Sequence, residues 1–224
     1  MQALPATRLA ALTTAAVLLL LAPAAQAQSD GGSTTLEVTI TNLTPGQIIS
    51  PPLVVTHDAN FQLFALGAPA SPGLAALAED AETAPLIDEI DDDPSVFDIQ
   101  VGGDVILPGA TMTIEIEATS QFRYVSLAGM LVTTNDTFFA ARGIRASTGG
   151  GATVLSPGYD AGSEENNEDC AFIPGPPCGN AGVGTGSSEG FVHINSGIHG
   201  IASLAPAEFD WRNPVAFVSV QRAN

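Results

Sequence analysis

Polar and apolar positions alternate through most of the chain. Thr34 to Asn42 (TTLEVTITN) sets Leu36, Val38 and Ile40 on one side and polar residues on the other, the period-two signature of a strand with one buried face. The alternation returns from Phe97 to Val101 and from Thr111 to Ala118, where Met112, Ile114 and Ile116 point inward. Leu53 to Thr56, Phe61 to Phe64, Thr137 to Ala141, Phe191 to Ile194 and Val215 to Gln221 add shorter candidates. Tyr124 to Val132 (YVSLAGMLV) is more continuously apolar, which predicts a more fully buried strand. Turn-forming residues separate these runs, as in Asn42-Leu43-Thr44-Pro45-Gly46 and Gly102-Gly103-Asp104.

Two stretches break the pattern. Between Pro72 and Ile90, Leu74, Leu77 and Ala78, then Leu86, Ile87 and Ile90, fall at helical spacing, and Pro85 divides the segment into two short helices. Gly158 to Ser188 has almost no period and reads as a long loop, ordered by its cysteines, prolines and acids. Ser147 to Ala152 is glycine-rich. The expected fold is all-β: an antiparallel β-sandwich of about eight strands with one short helical insertion and long loops.

The first 27 residues read as an address. Arg8 supplies a positive start, Leu9 to Ala22 an apolar stretch, and Ala25-Gln26-Ala27 a small-x-small cleavage site, so 1–27 is a secretory signal peptide. Residues 28–33 are a flexible leader and 34–224 the folded domain. The apolar run is too short for a membrane span, and no later stretch approaches one, so no membrane insertion is expected after signal removal. The expected location is secreted or periplasmic. Cys170 and Cys178 are the only cysteines, and in an exported chain a pair this close predicts a local disulfide contributing about 2–3 kcal/mol.

Charge then narrows the partners. The 224 residues carry 24 acids against six basic residues, all arginine, for a net charge of −18. That balance excludes nucleic acid as a direct partner, because phosphates would go unneutralised, and points to cations. Gly158-Tyr159-Asp160-Ala161-Gly162-Ser163-Glu164 sets two carboxylates four apart across a glycine, which lets the chain turn so that both can meet one ion. Calcium, with six to eight oxygen ligands, suits such a loop better than zinc. The alternative is that Asp160 caps a turn and Glu164 is solvated. Asp91-Asp92-Asp93 lacks the spacing of a calcium loop and reads as a solvated surface, as do Glu165, Glu168 and Asp169, any one of which could instead assist the nearby ion.

Several pieces taken in order resemble the spondin N-terminal domain family: Val38-Thr39-Ile40-Thr41-Asn42-Leu43-Thr44, Asn135-Asp136-Thr137-Phe138-Phe139, Tyr159-Asp160-Ala161-Gly162-Ser163-Glu164, Ile198-His199-Gly200-Ile201 and Asp210-Trp211-Arg212-Asn213-Pro214-Val215-Ala216. Together they span about Thr34 to Ala223. The resemblance implies a β-sandwich similar to calcium-dependent lipid-binding modules, with a bound calcium ion whose ligands fall on Asp136, Asp160 and Glu164. It departs from the animal motif at Thr137, where an aromatic commonly follows the Asp, and at Glu164, one methylene longer than Asp.

These readings lead to an exported calcium-binding sandwich, not an enzyme, with a binding or adhesion role toward an extracellular or envelope ligand. A secreted hydrolase using a metal or His193 and His199 is one alternative; no G-x-S-x-G elbow and no motif fixing a third group supports it. A purely structural envelope protein is the other. His193 and His199 are expected to hydrogen-bond loop carbonyls, and His57 to sit in a polar turn without a partner. Trp211 is expected to pack over the sandwich end.

Overall fold

A computed structural model of the chain describes residue 1 and residues 32–146 and 151–223. Residues 2–31, on which the signal-peptide expectation and most of the leader expectation fall, residues 147–150 of the glycine-rich segment and residue 224 lie outside the described residues. The strands are β1 (Thr34–Asn42), β2 (Leu53–His57), β3 (Val96–Val101), β4 (Thr111–Ala118), β5 (Tyr124–Met130), β6 (Thr137–Arg145), β7 (Ala152–Ser156), β8 (Gly158–Asp160), β9 (His193–Ile194) and β10 (Ala216–Arg222). The helices are α1 (Pro72–Asp80), α2 (Ala84–Ile90) and a single turn, α3 (Pro206–Phe209).

One sheet has the order β4-β1-β10-β7 and the other β3-β2-β5-β6-β8-β9. Every pairing is antiparallel. In the first sheet, Val38 of β1 lies opposite Ile114 of β4 and Val220 of β10. The inward residues Leu36, Val38, Ile40, Ile116, Val218 and Val220 are almost fully buried against Val125, Leu127 and Phe139 of the second sheet. The outer face of β1 and β4 carries a threonine ladder, with Thr39 to Thr113 at 3.0 Å and Thr41 to Thr111 at 2.9 Å. The alternation read from the sequence is therefore the division between core and solvent.

The second sheet is covered on both faces. Leu53, Val55, Ala128, Phe138 and Ala140 point away from the sandwich core and pack under Leu74, Leu77 and Ala78 of α1 and Leu86 of α2. This explains why Tyr124 to Met130 reads as a continuous apolar run: from Val125 onward every residue is buried. The helical segment forms as expected. Ser71 caps α1 by accepting from the Leu74 N–H at 3.2 Å, and Pro85 sits in the first turn of α2, where its missing N–H costs nothing.

Among the described residues ten strands form where about eight were expected. β8 has three residues, too short to show a period, and β7 follows the glycine-rich segment with Leu155 exposed, while β9 falls within the expected Phe191 to Ile194 strand. Phe61 to Phe64 is not a strand: adjacent Leu63 and Phe64 are both buried, which a pleated strand does not allow on one face. His57 is not in a polar turn. It ends β2, is buried, and holds Ser126 Oγ at 2.8 Å through Nε2 and the Asp58 carbonyl at 2.6 Å through Nδ1. Burial pushes its pKa below the ordinary value.

Cys170 and Cys178 form a disulfide, with Cα atoms 4.8 Å apart, as a non-reducing compartment allows. No helix among the described residues is long and apolar enough to cross a membrane.

Candidate metal centre

The centre is built where β6 begins and β8 ends. Chain reversal between β5 and β6 is held by Thr134, whose Oγ donates to the Leu131 carbonyl at 2.6 Å and accepts the Thr137 N–H at 3.1 Å. This turn delivers Asp136, fully buried, at the entrance to β6. Thr137 pairs with Asp160, the last residue of β8, and Asp160 pairs with His193 on β9. Two acids 24 residues apart are thus brought together by strand register.

Each carboxylate is held by the Asp160–Glu164 loop. Asp160 Oδ1 accepts the Gly162 N–H at 2.8 Å, closing an Asx turn. Gly162 has φ +64°, and a Cβ there would lie 2.2 Å from the Phe191 carbonyl oxygen, so the position accepts only glycine. Beyond it, the N–H groups of Ser163 and Glu164 donate to Asp136 Oδ2 at 2.8 and 3.0 Å. Asp160 Oδ2 accepts from the side-chain amides of Asn195, at 2.9 Å, and Asn166.

One atom is left over. Asp136 Oδ1 is buried with no hydrogen-bond partner, and no other buried side-chain nitrogen or oxygen among the described residues shares that condition. A buried carboxylate oxygen without a donor is costly, and a second buried carboxylate beside it raises the cost. Burial first, then the charge of Asp160, pushes the Asp136 carboxyl up to about 8. Asp160 is also raised, mainly by burial.

Beside this pair, ligand-type atoms of Asp160, Glu189 and His193 lie within 4.8 Å of one another, a cluster that could hold a metal ion. His193 Nε2 is 3.6 Å from Asp160 Oδ1, and its Nδ1 lies 3.1 Å from the Ile194 carbonyl. Glu189 is exposed, so the centre opens to solvent on one side. The orphaned Asp136 oxygen, the buried Asp160 carboxylate and the adjacent Glu189 and His193 form a donor set that could hold a metal ion.

Of the residues read from the sequence, Asp136 and Asp160 come together. Glu164 is buried nearby, but its backbone N–H serves Asp136 and its Oε1 accepts the Thr185 N–H at 3.0 Å. Burial, reinforced by the acids Glu79 and Asp80, pushes its carboxyl up to about 7. Glu189, Asn166 and Asn195 escaped the sequence reading. Glu and Asn in a polar, glycine-rich loop carry no period or motif that separates a ligand from a solvated side chain.

Glu168 corrects another expectation. It is buried, and its carboxylate accepts the N–H groups of His199 at 2.5 Å, Gly200 at 2.7 Å and Ile201 at 2.9 Å. Three backbone donors on one carboxylate replace its water shell. Asp169 caps the following helical turn through the Ala171 N–H at 3.0 Å, while exposed Glu165 accepts from Ser187 Oγ at 2.6 Å. Asp91 and Asp92 are exposed, and Asp93 caps its own turn through the Ser95 N–H at 2.8 Å.

The chain matches no protein-family model and no curated protein. The remaining segments quoted for the resemblance have structural work of their own. Asn42 donates to the Gln47 and Ile106 carbonyls at 2.8 and 2.9 Å, and Asp210 accepts the Ile198 N–H at 3.0 Å. Trp211 is buried in the sandwich core, and Asn213 accepts the Gly158 N–H at 2.8 Å.

His199 does not hold a carbonyl. Its Nε2 lies 2.8 Å from Ser196 Oγ on the exposed surface. The N–H groups that could stabilise an oxyanion there are already engaged: Gly197 by Asn195, Ile198 by Asp210, His199 and Gly200 by Glu168.

Proposed function

We propose that the protein is an exported β-sandwich in which a calcium ion ties the Asp136 turn to the Asp160 loop and so preorganises a loop surface for binding or adhesion outside the cytoplasm. The observation that carries this reading is the partnerless Asp136 Oδ1 beside a second buried carboxylate. A divalent cation supplies the missing charge and fills the missing coordination at once. The residues that would hold it are Asp136 and Asp160, with Glu189 on the solvent side. Oxygen donors favour calcium, and the disulfide and the apolar leader favour an extracytoplasmic setting.

Thermal denaturation of the chelated protein, repeated with added calcium, tests the reading. At a calcium concentration of about one hundred times Kd the stabilisation is about 2.7 kcal/mol. Asp160→Asn abolishes the increment. An unchanged transition in the unmodified chain on adding calcium defeats the proposal. Calcium-dependent capture on glycan or matrix arrays separates a binding role from a purely structural one.

The nitrogen of His193 favours one second reading, a borderline metal such as zinc at Asp160, Glu189 and His193, with solvent access suited to hydrolysis. Under that reading zinc stabilises more than calcium and His193→Ala removes the zinc increment. Under the calcium reading His193→Ala leaves the calcium increment in place.

A further inference from the structure

The opposite end of β6 has the opposite charge. Arg145 closes β6, Arg123 immediately precedes β5, and Arg222 closes β10, so three strand ends from the two sheets converge at one open end of the sandwich. The three arginines line a single cleft of about 430 Å³ whose wall includes Leu36, Ala118 and Ala146. The described residues hold five arginines, and three of them meet here in a chain with 24 acids. Among the described residues none of the three has a carboxylate within salt-bridge distance.

The other two arginines are occupied. Arg212 pairs with Asp210, and Arg142 lies 4.3 Å over the Phe64 ring while donating to the Phe64 carbonyl at 2.9 Å. At the cleft, Arg222 Nη2 donates to Thr34 Oγ1 at 2.9 Å, which fixes its direction and leaves its other donors unused by the described protein. The nearest acid in sequence, Glu117, faces the other way. It alternates with buried Ile116 and Ala118, and its Oε1 accepts from Thr35 Oγ1 at 2.6 Å on the outer face. Nothing in the described fold requires three like charges to share this cleft, and their mutual repulsion opposes it.

We propose that this cleft binds a compact, multiply charged oxyanion of the phosphate or sulfate type, free or as the terminal group of an organic ester. Planar guanidinium forks match tetrahedral oxyanions in geometry as well as charge, and three of them exceed what a monovalent ion needs. The apolar wall and a volume within the usual range of small-molecule sites provide room for the carbon part of an ester. The net negative field of the molecule repels anions at a distance, so recognition here depends on short-range contacts screened from that field by salt. The site is independent of the metal centre: the nine residues of β6 hold the two apart by roughly 25 Å.

The test is calorimetric titration of the exported chain with inorganic phosphate, sodium sulfate, glycerol phosphate and glucose sulfate, at ionic strength held constant with sodium chloride and without calcium. The expected result is saturable one-to-one binding by at least one probe, weakened roughly tenfold or more by Arg145→Gln and by Arg123→Gln and unchanged by Arg212→Gln. Tighter binding of the esters than of the free ions identifies a carbon-bearing ligand, and the reverse order a free ion; either supports the site. Amide chemical-shift changes on binding centre on Leu36, Ala118 and Ala146. Absence of saturable binding by all four probes, or equal weakening by Arg212→Gln, overturns the proposal. Failure here leaves the calcium response untouched, because none of these arginines contacts the metal centre.

Discussion

The two ends of β6 handle charge in contrary ways. At its first residue, acids are pulled out of water and almost every oxygen is given a donor: Asp136 takes two backbone N–H groups, Asp160 one N–H and two amides, and neighbouring Glu168 takes three N–H groups. At its last residue, arginines remain in solvent around an open cleft. Burial is what separates the two ends. A desolvated charge must be met by the protein or by an ion, and a single unmet oxygen is a pointed observation. A solvated charge demands nothing for stability, so three together in an acidic protein speak of recognition instead of folding.

The largest effect is expected at the buried end. Gly162→Ala forces a Cβ into the Phe191 backbone at a positive φ, and should destabilise the fold by roughly 2–4 kcal/mol, read by urea denaturation. Loss of the calcium increment in that variant would follow, since the turn that aims the Ser163 and Glu164 N–H groups is lost.

A smaller effect appears in pH. The Asp136 carboxyl titrates near 8 in the metal-free fold and at its ordinary 3.8 in the unfolded chain, so the native state keeps a proton that the unfolded state releases. Metal-free stability should therefore fall as pH rises from about 4 through about 8, and Glu164 adds to the same trend. Denaturation in chelator at pH 5 and pH 9 measures the slope. Asp136→Asn should flatten it, and an unchanged slope in that variant would mean that other groups set the dependence.

The smallest effect belongs to the solvated end. Arg145→Gln should alter stability by no more than about 0.5 kcal/mol, since the residue is exposed. A larger loss would show that the arginine cleft is a structural element, and would erase the contrast between the two ends.

Much of the fold was legible in the pattern. Leu36, Val38 and Ile40 alternate because β1 has one face on the core, and the pair of short helices followed from the spacing around Pro85. The strand β9 lies within the Phe191 to Ile194 candidate, but β8 was not legible, because three residues cannot display a period, and neither was β7, which adjoins the glycine-rich segment. Phe61 to Phe64 misled for a related reason: a few apolar residues look alike whether they lie in a strand or in an irregular buried segment. At the site, Asp160 and Gly162 were readable because a turn is a local event. Glu168 and Glu189 sit in the same polar stretch, yet one is buried under three N–H groups and the other is exposed.

The amino-acid sequence alone determined what depends on neighbours along the chain: the strand faces, the turns, the helix starts, the proximity of Cys170 to Cys178 and the excess of acid. Only the tertiary structure decided which charges lose their water. Asp136 meets Asp160 through the register of β6 on β8, and Arg123, Arg145 and Arg222 meet because the ends of strands from different sheets align. Hydration is a property of the assembled surface. Its loss at the buried carboxylates, and its retention around three guanidiniums, arise from packing between segments that spacing within any one segment does not encode.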